Sequence, residues 1–165
     1  MAKGESTLFK VWCLAVICYY VSHIPITLCL DLQGLLKAYY PSALKELLSW
    51  YVKNFNDPLM GGQPVWFKSF IFWECFQVPY FAVAANAMIN RDNSIRIPSI
   101  IYGAHVSTTV SAILSELYFS TAVTDEQRTI LLGLYLPYFI FPFSILVYFA
   151  AYSEPFGPAM KKKSR

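Results

Sequence analysis

Four long apolar runs, near residues 8–30, 65–89, 97–119 and 130–152, constrain this chain more than any other feature. Each can cross about 30 Å of hydrocarbon, which takes about 20 helical residues. Lipid offers no partner for backbone N–H and C=O groups, so a lone span of this length has to be a helix. Composition agrees: 56% of the 165 residues are hydrophobic and 14% are charged, against roughly 25% charged in soluble domains. A chain this short cannot hide so much apolar surface in a water-soluble core. The expectation is an all-α integral membrane protein: a single domain over 1–165, a four-helix transmembrane bundle, and a tail over 153–165. The first run exceeds the 7–15-residue apolar core of a signal peptide, and no small-residue cleavage pattern precedes Asp31, so it reads as a membrane helix.

Charge sets orientation rather than a nucleic-acid surface, because the net +3 comes largely from the tail. Four spans put both termini and the middle loop on one side, with Lys3, Lys10, Arg91, Arg96, Lys161, Lys162, Lys163 and Arg165. Lys37, Lys45, Lys53, Lys68 and Arg128 fall on the other. Eight against five favours cytoplasmic termini. Three of the spans carry internal prolines: Pro25 in the first, Pro79 in the second, Pro137 and Pro142 in the fourth. Proline removes a helix donor, and neighbouring helices can re-satisfy the freed carbonyl, so kinked helices bowed around a cavity are expected.

The loop after the first span contains a helix of its own. Pro41 can open it, since its missing N–H falls where a helix leaves donors unpaired. Leu44, Leu47, Leu48, Tyr51, Val52 and Phe55 then repeat as one apolar face, opposite Lys45, Glu46, Ser49 and Lys53. Such a lumenal amphipathic helix lies on the bilayer or caps the bundle. Asn56-Asp57-Pro58 is expected to end it.

Acids inside a membrane cost roughly 2.5–3.5 kcal/mol at the centre, so each one is a functional candidate. Glu74 lies deep in its span, and Gln77 shares its face. Asp31 ends the first span and Asp57 follows the amphipathic helix. Brought together in an apolar site, two carboxylates would not both ionise cheaply and would suit a cation. The plainer alternative, favoured by spacing alone, is that Asp31 caps a helix and Asp57 makes a turn with Pro58. His105 and Glu116 share a helix face about 16 Å apart, too far for a dyad. His23 and His105 have no partners at metal-ligand spacing, and Cys13, Cys18, Cys29 and Cys75 sit in apolar runs, so neither a metal, a cofactor nor a disulfide framework is expected. No phosphate loop or nucleophile elbow occurs.

Ser22-His23-Ile24-Pro25-Ile26-Thr27-Leu28 followed by Asp31-Leu32-Gln33 resembles the first-helix signature of the sigma-2 receptor family within the EXPERA superfamily, which also includes the emopamil-binding sterol isomerase. The likeness runs through Trp50-Tyr51, Asp57-Pro58-Leu59, Trp66-Phe67-Lys68-Ser69-Phe70 and Ile100-Ile101-Tyr102 to Pro137-Tyr138 and Pro142-Phe143. It implies a homodimeric, four-helix receptor of the endoplasmic reticulum membrane, with the nuclear envelope and endolysosomal membranes as further locations. A sterol or a cationic amphiphilic amine would bind in an intramembrane cavity, in service of cholesterol homeostasis and trafficking. By the same resemblance, Asp31 pairs with the ligand's ammonium and Asp57 supports it through a carboxyl–carboxylate hydrogen bond. His23, Met60, Glu74, Gln77, Tyr102, Leu134 and Tyr138 match pocket positions. Lys162 and Lys163 resemble a dilysine retrieval signal, against the alternative of a polybasic stretch on anionic lipid. The Niemann-Pick lysosomal cholesterol transporter is an implied partner.

Two departures bear on activity. Glu74 and Gln77 stand three apart, against four in the animal members. The isomerase has a histidine one turn before its second-helix glutamate, where this chain has Phe70. An acid–base pair for moving a sterol double bond is therefore incomplete by this pattern, which leans away from an enzyme. Sterol Δ8-to-Δ7 isomerase and structural partner of a sterol transporter stand as the alternatives.

Overall fold

The computed structural model describes residues 6–158, and these are helical throughout with short connections and no strand among them. Seven α-helices follow in order: α1 (Thr7–Ile26), α2 (Gln33–Leu36), α3 (Ser42–Phe55), α4 (Pro58–Gly62), α5 (Val65–Asn90), α6 (Arg96–Phe119) and α7 (Asp125–Ala151). Three stretches are long and apolar enough to cross a membrane: Thr7–Tyr39, Asn93–Phe119 and Asp125–Ala151. The fourth expected span corresponds to α5, whose 26 residues suffice in length. Lys68, Glu74, Gln77 and Asn86 dilute its apolar character.

The first span does not stop at Asp31 as expected. Pro25 sits inside α1, and from Thr27 to Asp31 the helix widens into a π turn before resuming as α2. Proline has no N–H to offer the carbonyl four residues back, so the helical ladder is already interrupted here. A π turn accommodates one extra residue per turn without ending the helix, and such turns recur at functional sites. The result is that Asp31 leaves the helix from inside a continuous rod.

α1 pairs with α5, and α6 pairs with α7 over a longer contact. Gly103 lets the second pair approach closely: a Cβ there would lie 2.7 Å from the Pro142 carbonyl oxygen and 2.8 Å from the Leu146 backbone nitrogen. One apolar cluster, including Val16, Tyr20, Phe81 and Phe149, fills the end where the chain begins. A second, including Leu48, Leu59, Ile71, Leu117 and Leu131, fills the other end under α3 and α4.

α3 forms as its apolar face predicts, with Pro41 at its N-cap and Leu48 buried. Leu47, assigned to that face, is 43% exposed. Asn56 ends α3 in the left-handed conformation at φ 50°. Pro58 then opens α4 at its first turn, where a missing N–H costs nothing. α7 starts at Asp125, before the apolar run itself, because Thr124 and Gln127 form a reciprocal capping box. Arg128 ties this start back to the Ser120 carbonyl and to Asp125.

At the opposite end the chain folds back after α7. Asn93 accepts a hydrogen bond from the Phe156 N–H and donates one to the Gly157 carbonyl, while Arg96 donates to the Tyr152 carbonyl. The candidate retrieval residues Lys162 and Lys163 lie outside the described residues.

Candidate ligand-binding cavity

A cavity of about 240 Å³ opens among the helices at the level of the π turn. α1 and the π turn contribute His23, Ile26, Leu30 and Asp31. α5 contributes Phe67, Phe70, Ile71, Glu74 and Gln77, and α6 contributes Val106, Thr109, Val110 and Ile113. Tyr51, Met60, Leu134, Tyr135 and Tyr138 close it from α3, α4 and α7. The walls are mostly hydrocarbon and aromatic ring with a few convergent polar groups, the usual make-up of a small-molecule site. Glu74 and Gln77 both reach this wall, so their three-residue spacing keeps them on the cavity side.

Asp57 is only 1% exposed and lies behind the wall rather than on it. One carboxylate oxygen accepts the N–H groups of Leu59 and Met60 at 2.9 and 3.0 Å, capping α4. The other accepts the hydroxyls of Tyr51 and Tyr135 at 2.9 and 2.8 Å. Four donors fill the roughly four acceptor positions of a carboxylate, and none of them comes from Asp31. Asp57 thus serves locally beside Pro58, where the plainer alternative expected a turn, as the N-cap of α4, and its partners Tyr51 and Tyr135 line the cavity. Burial, then the adjacent Asp57 charge, pushes the Tyr51 phenol above its ordinary value, which keeps it a donor at neutral pH.

Asp31 reaches the cavity from the last residue of the π turn and is half-buried. Farther along α1, His23 is 6% exposed, stacked on Phe81 at 4.7 Å and edge-on to Tyr138 at 4.9 Å between centroids. Its Nδ1 has no hydrogen-bond partner, and neither does Glu74 Oε2. Met60, Leu134 and Tyr138 also line the cavity.

Tyr102 stands apart from this group. It is buried in a tyrosine cluster, sharing a 2.9 Å hydrogen bond with Tyr19 and with its ring tilted against Tyr80 at 4.9 Å between centroids. His105 and Glu116 also lie off the cavity wall; His105 meets Trp73 at 5.6 Å.

Sequence reasoning did not single out Tyr51 and Tyr135. Tyr51 reads as one more apolar-face residue of α3, although it shares that face with the approach to Asp57. Tyr135 lies three residues before Tyr138 on the same helix face, the spacing that could have flagged it.

Comparison with known proteins gives the family. The model of the EXPERA family (EXPanded EBP superfamily) matches residues 43–149. Sigma intracellular receptor 2 of Macaca fascicularis is 40% identical over 151 residues, covering 83% of this chain and 85% of that protein. The Homo sapiens protein of the same name is 41% identical over 144 residues, covering 79% and 82%. A more distant relative, Efficient mitochondria targeting-associated protein 19 of Schizosaccharomyces pombe, is 29% identical over 136 residues, covering 75% and 67%. A match across most of the chain, on a helical scaffold with membrane-spanning stretches, places it in one family: this chain belongs to the EXPERA family.

Proposed function

We propose that this chain is a membrane receptor that binds a sterol or a cationic amphiphilic amine in the cavity, with Asp31 as the partner of the ammonium. The supporting observation is the mostly apolar cavity with Asp31 on its wall and the anchored Asp57 behind it. In a low-dielectric site an uncompensated acid attracts a cation far more strongly than in water. The curated relatives' name as receptors fits this reading. In it α5 is the fourth crossing, bowed at Pro79, and both termini face the cytoplasm from the endoplasmic reticulum membrane. A homodimer working in cholesterol traffic, with a sterol transporter as partner, completes the proposal.

Filling the cavity tests it. Thr109→Trp places an indole in the space between α5 and α6, and the full-length variant should lose at least about 10-fold in affinity for N,N-dimethyl-4-phenylbutylamine while eluting as a folded species. Unaltered affinity in a folded variant would contradict the cavity as the site.

One observation favours a second reading. His23 and Glu74 both line the cavity, each with an unpartnered atom, so a histidine and a glutamate are present although Phe70 stands where the isomerase has its histidine. Such a pair could add a proton at one end of a Δ8 double bond and remove one from C7. Mass spectrometry of a Δ8-sterol incubated with purified protein, beside an active isomerase, separates the two: product above the blank makes the chain an enzyme.

A further inference from the structure

The π turn that delivers Asp31 to the cavity disturbs the backbone around it. In an α-helix the Leu28 carbonyl would accept the N–H of Leu32, but that N–H turns to the Thr27 carbonyl at 3.1 Å. A carbonyl left without its donor in apolar surroundings is costly. Two side chains hold the turn from outside the ladder. The Tyr40 hydroxyl donates to the Leu28 carbonyl at 2.6 Å, and Gln33 Nε2 donates to the Cys29 carbonyl, the next along, at 2.7 Å. Gln33 Nε2 also donates to the Leu44 carbonyl of α3 at 2.8 Å. Both of its partners are carbonyl oxygens, so the amide nitrogen is the atom that faces them. Gln33 is fully buried, and its Oε1 has no partner. A buried amide kept half-satisfied calls for a reason beyond packing, and the turn it holds provides one.

We infer that Tyr40 and Gln33 are positioning residues for ligand recognition: by holding the π turn open, they aim the Asp31 carboxylate at the cavity. An α-helix advances about 100° per residue. A turn that tightened back to plain α would therefore swing Asp31 round the rod by up to about that angle, off the cavity wall. Gln33 also ties the turn to α3, whose Tyr51 holds Asp57. Neither Tyr40 nor Gln33 lines the cavity, so each acts through Asp31 and not on the ligand itself. The inference rests on the receptor reading and adds what sets the direction of its acid.

The test is a double-mutant cycle on the purified full chain, with N,N-dimethyl-4-phenylbutylamine as the probe. Tyr40→Phe and Gln33→Met should each weaken binding roughly 5-fold or more when Asp31 is present. In the Asp31→Asn protein the same two substitutions should change the remaining affinity by less than about 2-fold, because no charge is left to aim. Monodisperse elution and thermal melting check each fold. A role in packing alone would lower affinity equally in both backgrounds, and that result would overturn the inference. Undiminished affinity in a folded Tyr40→Phe protein would overturn it as well. Tyr40→Phe removes a single oxygen from a partly exposed ring, so it decides the matter where Gln33→Met, at a fully buried position, does not elute as a folded species. Binding as tight in Asp31→Asn as in the natural sequence would strike the receptor reading itself, and the inference with it.

Discussion

Asp57 shows how one residue serves fold and site together. Its four hydrogen bonds join the start of α4, the middle of α3 and a turn of α7, so a single side chain holds three elements around the cavity mouth. Hydrogen bonds to a charged group contribute about 1.5–3 kcal/mol each. Tyr135→Phe should therefore lower stability by about that amount, read as a drop in melting temperature in detergent, and Tyr51→Phe/Tyr135→Phe should lower it further. A melting temperature unchanged by the double substitution would mean that Asp57 draws its stability from the α4 cap alone. A local role was legible in Asn56-Asp57-Pro58, read as a turn that ends α3, because such signals lie in adjacent residues; that Asp57 also caps α4 was not foreseen. The tyrosine bonds were not: Tyr135 is 78 residues away, and nothing local announces a donor that arrives from another helix.

At the scale of helices, what depends on local pattern was readable and what depends on contact was not. The apolar repeat from Leu44 to Phe55 predicted α3 because amphipathic spacing is intrinsic to the helix. The π turn at Thr27–Asp31 escaped notice: Pro25 said that the ladder breaks, but whether the helix ends, bends or widens is decided by its neighbours. The start of α7 was set too late since the apolar run was followed in place of Thr124-x-x-Gln127, a capping pattern visible in the sequence. Within the long α6–α7 contact, Gly103 lets the two backbones come close because it has no side chain. Gly103→Ala should lower the melting temperature, because the backbone atoms of Pro142 and Leu146 cannot yield the way a flexible side-chain end would. Gly133→Ala, with nothing within 4 Å of the new Cβ, is the control and should hold or raise it, as alanine is the better helix former. Equal effects from both would show that backbone proximity at Gly103 is not what joins the helices.

Taken as a whole, the protein is two helix pairs with a partly polar cavity where they diverge beneath α3 and α4. Hydropathy revealed the helical class and the intramembrane acids, since charge in an apolar run is conspicuous. Hydropathy alone left open which polar residues converge: Asp31, Glu74, Gln77 and His23 share the cavity, whereas Tyr102, His105 and Glu116 do not. The central claim is that Asp31 recognises a cation there. The most direct measurement is the dissociation constant of N,N-dimethyl-4-phenylbutylamine for the purified natural protein and for Asp31→Asn, each verified as folded by thermal melting. Asparagine keeps the shape and removes the charge, so the account predicts an affinity loss of roughly 30-fold or more, the cost of breaking a buried charge pair. Equal affinity in a folded Asp31→Asn protein would contradict it.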